Sequence, residues 1–123
     1  DYDSDGDVDL LVVDIDDRPT LLRNDTAGGH WVTLRLAGTR SNRDAIGARV
    51  TIEAAGRRQT AEVRSGGSYL SHNDMRVHFG LGDARRVDRL EIRWPSGLVE
   101  RAAGLESDRF YVAREGEGVT PGR

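Results

Sequence analysis

The first nine residues, Asp1-Tyr2-Asp3-Ser4-Asp5-Gly6-Asp7-Val8-Asp9, place five carboxylates on alternate positions around a glycine. A hard cation such as Ca²⁺ takes about six to eight oxygen ligands at flexible geometry, and a tight loop with aspartates at its first, third and fifth positions offers them. Gly6 permits the sharp reversal that brings early and late oxygens onto one ion. An EF-hand requires a bidentate glutamate at the twelfth loop position and a helix on each side. Position twelve here is Val12, inside the β-type run Leu10-Leu11-Val12-Val13. The pattern therefore predicts a Ca²⁺ loop that leads into a strand.

Catalytic constellations are poorer. Ser71, His72 and Asp74 are close in sequence, but neighbouring positions of a strand or turn point in different directions. A nucleophile, base and orienting acid must converge, and no Gly-x-Ser-x-Gly elbow occurs. Ser65-Gly66-Gly67-Ser68 has no phosphate-loop lysine, since the chain has no lysine at all. His30, His72 and His78 lack zinc-ligand spacing. The absence of cysteine removes thiol nucleophiles, disulfides and thiolate zinc sites. A non-enzymatic protein is expected, with a hydrolase built on residues 71–74 as the weakest alternative.

The formal net charge of −3 conceals an asymmetry. Residues 1–25 hold nine aspartates against Arg18 and Arg23, for a charge of −7. Residues 26–123 carry sixteen arginines against five aspartates and seven glutamates, for +4. Those arginines are spread singly along strands rather than clustered among aromatics, so no nucleic-acid binding is expected. No apolar run approaches the roughly 20 residues of a membrane-spanning helix, and no membrane insertion is expected. At 123 residues the chain fits one domain, or one domain with a short piece of another. It reads as part of a longer protein.

The elements that must hold these groups are strands. Residues 10–15 read as a buried strand, Asp16-Asp17-Arg18-Pro19 as a turn, and residues 20–23 as the partner, which makes residues 1–25 a hairpin. Residues 26–29 read as a linker. From His30 apolar residues alternate at period two, with Val32, Leu34, Leu36, Val50, Ile52, Val63, Val77, Phe79, Leu90, Ile92 and Trp94 pointing inward. Strands at this spacing predict an all-β fold, an antiparallel β-sandwich or small barrel over residues 30–115. Trp94, before Pro95-Ser96-Gly97, is expected to close a strand into a turn. Trp31, opposite the Val32 and Leu34 face, is expected to pack between the two units. Residues 98–101 and 110–113 complete the strand set, and residues 102–108 could form one helical turn at most. Residues 116–123, with glycine and proline but no apolar periodicity, read as a disordered tail.

The acidic loop resembles the FG-GAP/VCBS-type repeat, in which Asp-x-Asp-x-Asp-Gly-x-x-Asp joins two strands of a β-propeller blade. The resemblance implies Asp1, Asp3, Asp5 and Asp9 as side-chain ligands of Ca²⁺, with Asp7 supplying its backbone carbonyl. It also makes residues 1–25 a partial blade hairpin. A propeller needs about four to eight blades, so this hairpin is expected to pack against upstream repeats. Four later stretches resemble the ASPIC/UnbV domain, a C-terminal module that often follows such repeats in secreted proteins. They are His30-Trp31-Val32-Thr33-Leu34-Arg35-Leu36, then Ser41-Asn42-Arg43-Asp44-Ala45-Ile46-Gly47-Ala48-Arg49-Val50, then Arg64-Ser65-Gly66-Gly67-Ser68-Tyr69-Leu70-Ser71-His72-Asn73-Asp74. The last runs from His78-Phe79-Gly80-Leu81-Gly82 to Leu90-Glu91-Ile92-Arg93-Trp94-Pro95-Ser96-Gly97. This resemblance implies an extracellular or cell-surface bacterial module and transfers no catalytic residues.

Two polar loops are candidate ligand surfaces. One presents Asn42, Arg43 and Asp44; the other, residues 64–74, surrounds Tyr69 with hydroxyls and glycines. An aromatic among hydrogen-bonding groups suits a sugar or a peptide, and equally suits a long turn that satisfies its own backbone. The resulting expectation is a calcium-binding structural or adhesion module whose partner is an extracellular protein or glycan. The alternative is a carbohydrate-binding module in which Tyr69, Trp31 and residues 42–44 share one face.

Overall fold

Period-two alternation buries one side of each strand and leaves the other side to solvent or to a second layer. The computed structural model describes residues 1–122, and every helix or strand element among them is a strand. A short hairpin comes first, β1 (Leu10–Val12) with β2 (Thr20–Leu22). Two four-stranded sheets follow. One has the order β10-β9-β3-β6, built from β3 (His30–Ala37), β6 (Val77–Gly82), β9 (Arg109–Arg114) and β10 (Gly118–Pro121). The other has the order β5-β4-β7-β8, built from β4 (Arg49–Ala54), β5 (Arg57–Glu62), β7 (Arg86–Arg93) and β8 (Val99–Glu106).

The core lies between these sheets. Val32, Leu34, Leu36, Val50, Ile52, Val63, Val77, Phe79, Leu90, Ile92 and Trp94 are all buried in it, as the alternation predicts. Ala45, Ala48, Ala54, Leu81, Val87, Leu105, Tyr111 and Ala113 complete it. The sheets form an open sandwich, not a closed barrel. Trp94 sits at the end of β7, where its backbone amide donates to Leu98 O and its carbonyl accepts from Gly97 N. The β4–β5 connection is the two-residue turn Ala55-Gly56, with φ of 47° and 74°. That is a type I′ geometry, whose twist matches the strands it joins.

Two expectations are corrected and two are made finer. Residues 116–123 do not form a structureless tail: β10 pairs antiparallel with β9, from Gly118 opposite Arg114 to Pro121 opposite Tyr111. Backbone pairing requires no apolar period, and a proline is tolerated on an edge strand; Arg123 lies outside the described residues. Residues 102–106 belong to β8 rather than to a helical turn, because they pair along β7. The sheet containing β3 is not wholly antiparallel, since β9 runs parallel to β3 from Arg109 opposite Val32 onward. The run 10–15 is not a buried strand: β1 has three residues, and Leu11 and Ile15 are 60% and 92% exposed. A two-stranded ribbon has no second layer to cover it.

A buried carboxylate ties β9 to the loop after β3. Glu115 Oε2 accepts the three successive amides of Thr39, Arg40 and Ser41, at 2.9, 2.8 and 2.7 Å. Its Oε1 accepts the hydroxyls of Ser41 and Ser96. Desolvation pushes this carboxyl up, but the Ser41 amide, the Ser96 hydroxyl and the other two amides outweigh it and bring it down to about 2. Donors aimed at the ionised form favour it. The loop that carries Asn42 to Asp44 is thereby fixed.

Candidate metal centre

The turn that Gly6 makes possible, at φ of 102°, folds the acidic segment back on itself. Carboxylate oxygens of Asp1, Asp3 and Asp9 come within 4.8 Å of one another. The Asp1 and Asp9 side chains are only 8% and 4% exposed. Asp9 is held by amides, Oδ2 accepting Tyr2 N at 2.8 Å and Oδ1 accepting Asn24 N at 2.9 Å. The Asn24 amide, and after it the Tyr2 amide, hold its carboxyl below the usual carboxylate range. Asp9 thus joins the loop to the end of the hairpin. Among the described residues, Asp1 Oδ1 accepts only a long bond from Gly6 N, and Oδ2 is buried with no hydrogen-bond donor. A buried carboxylate oxygen without a donor is costly, and a divalent cation shared with Asp3 and Asp9 would satisfy it.

Asp5 and Asp7 lie outside this three-carboxylate group. Asp5 Oδ1 accepts the Asp7 amide at 2.9 Å, closing a local Asx turn. Both residues line a cleft of about 550 Å³ between the loop and the sandwich, with Trp31, Asp83 and Asp108 on its other walls.

The loop rests on the outer face of the first sheet. Trp31, Thr33 and Phe110 share that face with His78, because Thr33 is opposite both His78 and Phe110 in register. The indole meets Phe110 edge-on at 4.9 Å between centroids and lies roughly parallel to His78 at 6.2 Å. Gly6 is buried directly against the indole: a β-carbon built there would overlap the Trp31 ring. Trp31 therefore packs between the acidic loop and the sandwich, as its position opposite the core face predicts. Desolvation in this layer pushes the His78 imidazole down, against the pull of nearby Asp7. Thr33 is buried although the alternation places it outward, and its hydroxyl lies 2.9 Å from His78 Nδ1.

The remaining candidates separate. Asn42 is committed to its own loop, its side chain bonding both Ile46 N and Ile46 O at 2.8 and 2.9 Å. Arg43 and Asp44 are exposed. Tyr69 and Leu70 stand at the tip of the 64–76 connection, 87% and 90% exposed. Asp74 is engaged by Arg76, which reaches it through Nε at 2.7 Å and Nη2 at 2.6 Å.

A match to a family model decides the relationship: ASPIC and UnbV, over residues 38–120. The chain belongs to the ASPIC and UnbV family. The matched span contains β4 to β9 and most of β10, so the ASPIC/UnbV domain supplies the whole β5-β4-β7-β8 sheet and the face on which the acidic loop lies, apart from β3. No curated protein and no solved structure matches the chain. Two residues of the domain matter to this site without any signal in the sequence. Arg76 lies among many single arginines, and Phe110 among ordinary strand aromatics; only the fold carries Arg76 to Asp1 and Phe110 under its guanidinium.

Proposed function

We propose that this chain is a non-catalytic, calcium-braced module in which the acidic loop binds one Ca²⁺ and locks the β1–β2 hairpin onto the ASPIC/UnbV sandwich. The supporting observation is the buried, donorless Asp1 Oδ2 in a group with Asp3 and Asp9. Asp5 and the Asp7 carbonyl are the further ligands that the FG-GAP/VCBS-type pattern supplies once a cation organises the loop. The bare apolar surface of Leu10, Leu11, Val13 and Ile15 supports packing of this hairpin against preceding propeller repeats. In this reading the protein acts outside the cell in adhesion or assembly. The exposed Tyr69 and Leu70 tip is the surface offered to a protein or glycan.

Calorimetric titration tests the metal. One Ca²⁺ per chain is expected, with Mg²⁺ weaker because it demands tighter octahedral geometry and gives up water reluctantly. Asp3→Asn should weaken binding at least about tenfold, since it removes one charged oxygen from a small ligand set. Asp3 is exposed, and its ion pair with Arg23 is a loose 4.0 Å approach, so folding should survive the change. Binding indifferent to Asp3→Asn would overturn the reading.

A further inference from the structure

Arg76 joins the acidic loop, the aromatic face and the exposed 64–76 connection. Its Nη2 donates to the Asp1 backbone carbonyl at 3.3 Å and stands 4.0 Å from Asp1 Oδ2. Its Nε and Nη2 fork onto Asp74, and its guanidinium lies over the Phe110 ring at 5.2 Å from the centroid. The side chain is only 21% exposed. Charge at this point is therefore held by the fold rather than by a mobile surface arginine.

We infer that Arg76 is an internal counter-ion that competes with the metal for Asp1, so that the ASPIC/UnbV domain sets the cation affinity of the loop attached to it. This inference rests on the calcium reading above. Without metal, the guanidinium is the domain's own cation facing a buried carboxylate oxygen that has no hydrogen-bond donor. A divalent ion bound to the same oxygen sits close to a like charge and is disfavoured by it. Asp74 moderates that repulsion by neutralising the guanidinium, whose Nη2 it shares with Asp1. The two residues thus act in opposite directions on one site, a signature that a packing role for either would not produce.

The experiment is Ca²⁺ calorimetry on the wild-type chain, Arg76→Gln, Arg76→Lys and Asp74→Asn, with thermal unfolding of each in chelator and in saturating Ca²⁺. Arg76→Gln should tighten Ca²⁺ binding by about three- to tenfold, the scale of one partly screened like charge removed. Asp74→Asn should weaken it by about threefold, and Arg76→Lys should stay near wild type because the charge remains. In chelator Arg76→Gln should melt earlier than wild type, and saturating Ca²⁺ should raise its melting temperature by more than it raises that of wild type. A double-mutant cycle of Asp1→Asn with Arg76→Gln in chelator should show coupling, as for any directly interacting pair. Weaker or unchanged binding by Arg76→Gln, in a wild type that binds Ca²⁺, overturns the competition and leaves the calcium reading standing. No binding by any of the four chains defeats the calcium reading and the competition together.

Discussion

The two outer faces of the sandwich are built from the same kind of strand and do opposite things. On the β5-β4-β7-β8 sheet, Thr60, Thr51, Glu91 and Arg101 stand in one row across all four strands. Glu91 there accepts from Arg93 and Arg101 at 2.9 and 3.1 Å, and these two hold its carboxyl below the usual range. Arg89 faces Glu53 at 3.7 Å. This is a ladder of charges that water also solvates. On the β10-β9-β3-β6 sheet the outward positions carry Trp31, Thr33, His78 and Phe110, and the acidic loop closes over them. One face is finished by its own side chains; the other is finished by a separate segment of chain. An aromatic outer face beside a buried glycine is the mark of a joint.

The largest effect that separates the faces is expected at Trp31. Trp31→Ala should cost about 3 kcal/mol, the low end for truncating a large aromatic in a packed site. It should also raise amide exchange in residues 1–25. Thr51→Ala on the other face should stay within about 0.5 kcal/mol. Denaturant unfolding of both variants measures the contrast, and equal costs would erase it.

Deleting residues 1–25 sharpens the same point. The sandwich core contains none of those residues, so the remaining chain should still unfold cooperatively, at a lower melting temperature because the aromatic face is bared. An unfolded product would make the acidic hairpin part of the core. The hairpin alone should not fold, since an isolated two-stranded ribbon is marginal in water.

Acid should act through Glu115 more than through the charged ladder. Its carboxyl falls from an ordinary 4.5 to about 2 on folding. A depressed carboxylate stabilises fully above its unfolded value, and that contribution is lost as pH falls through about 4.5 toward 2. Melting temperatures of the wild type should decline across that window, and Glu115→Gln should be less stable at neutral pH with a flatter acid limb. An unchanged acid limb would remove Glu115 from the account.

The smallest effects belong to exposed positions. Glu91→Gln should leave stability nearly unchanged even though two arginines lose a charged partner, because exposed pairs are screened. Ala55→Asn should stabilise by a few tenths of a kcal/mol, roughly the preference of a type I′ turn for asparagine at a left-handed position. Chemical denaturation of each reads the sign.

The core was legible in the sequence because strand burial is a local signal. Every inward residue named from alternation is buried, since period two assigns faces before any partner is known. The acidic loop was legible for a similar reason: alternating aspartates around a glycine describe one turn, and three of them gather. The residues that sequence reasoning missed are those whose role needs a partner far along the chain. β10 carries too little apolar pattern to be read, and exists because the β9 edge offers it hydrogen bonds. Glu115 reads as one more surface charge until β9 runs parallel to β3 and delivers it to three amides more than seventy residues earlier.

By itself the sequence determined an all-β chain, its core positions and an acidic loop with the chemistry for a hard cation. These follow from period, residue type and short spacing, which act within a few residues. Only the tertiary structure decided that Asp1, Asp3 and Asp9 gather while Asp5 and Asp7 turn toward a neighbouring cleft. It alone set Gly6 against Trp31 and Arg76 beside Asp1. Such meetings depend on register and sheet order, which are settled by the whole core at once and leave no trace in the spacing of the residues they unite.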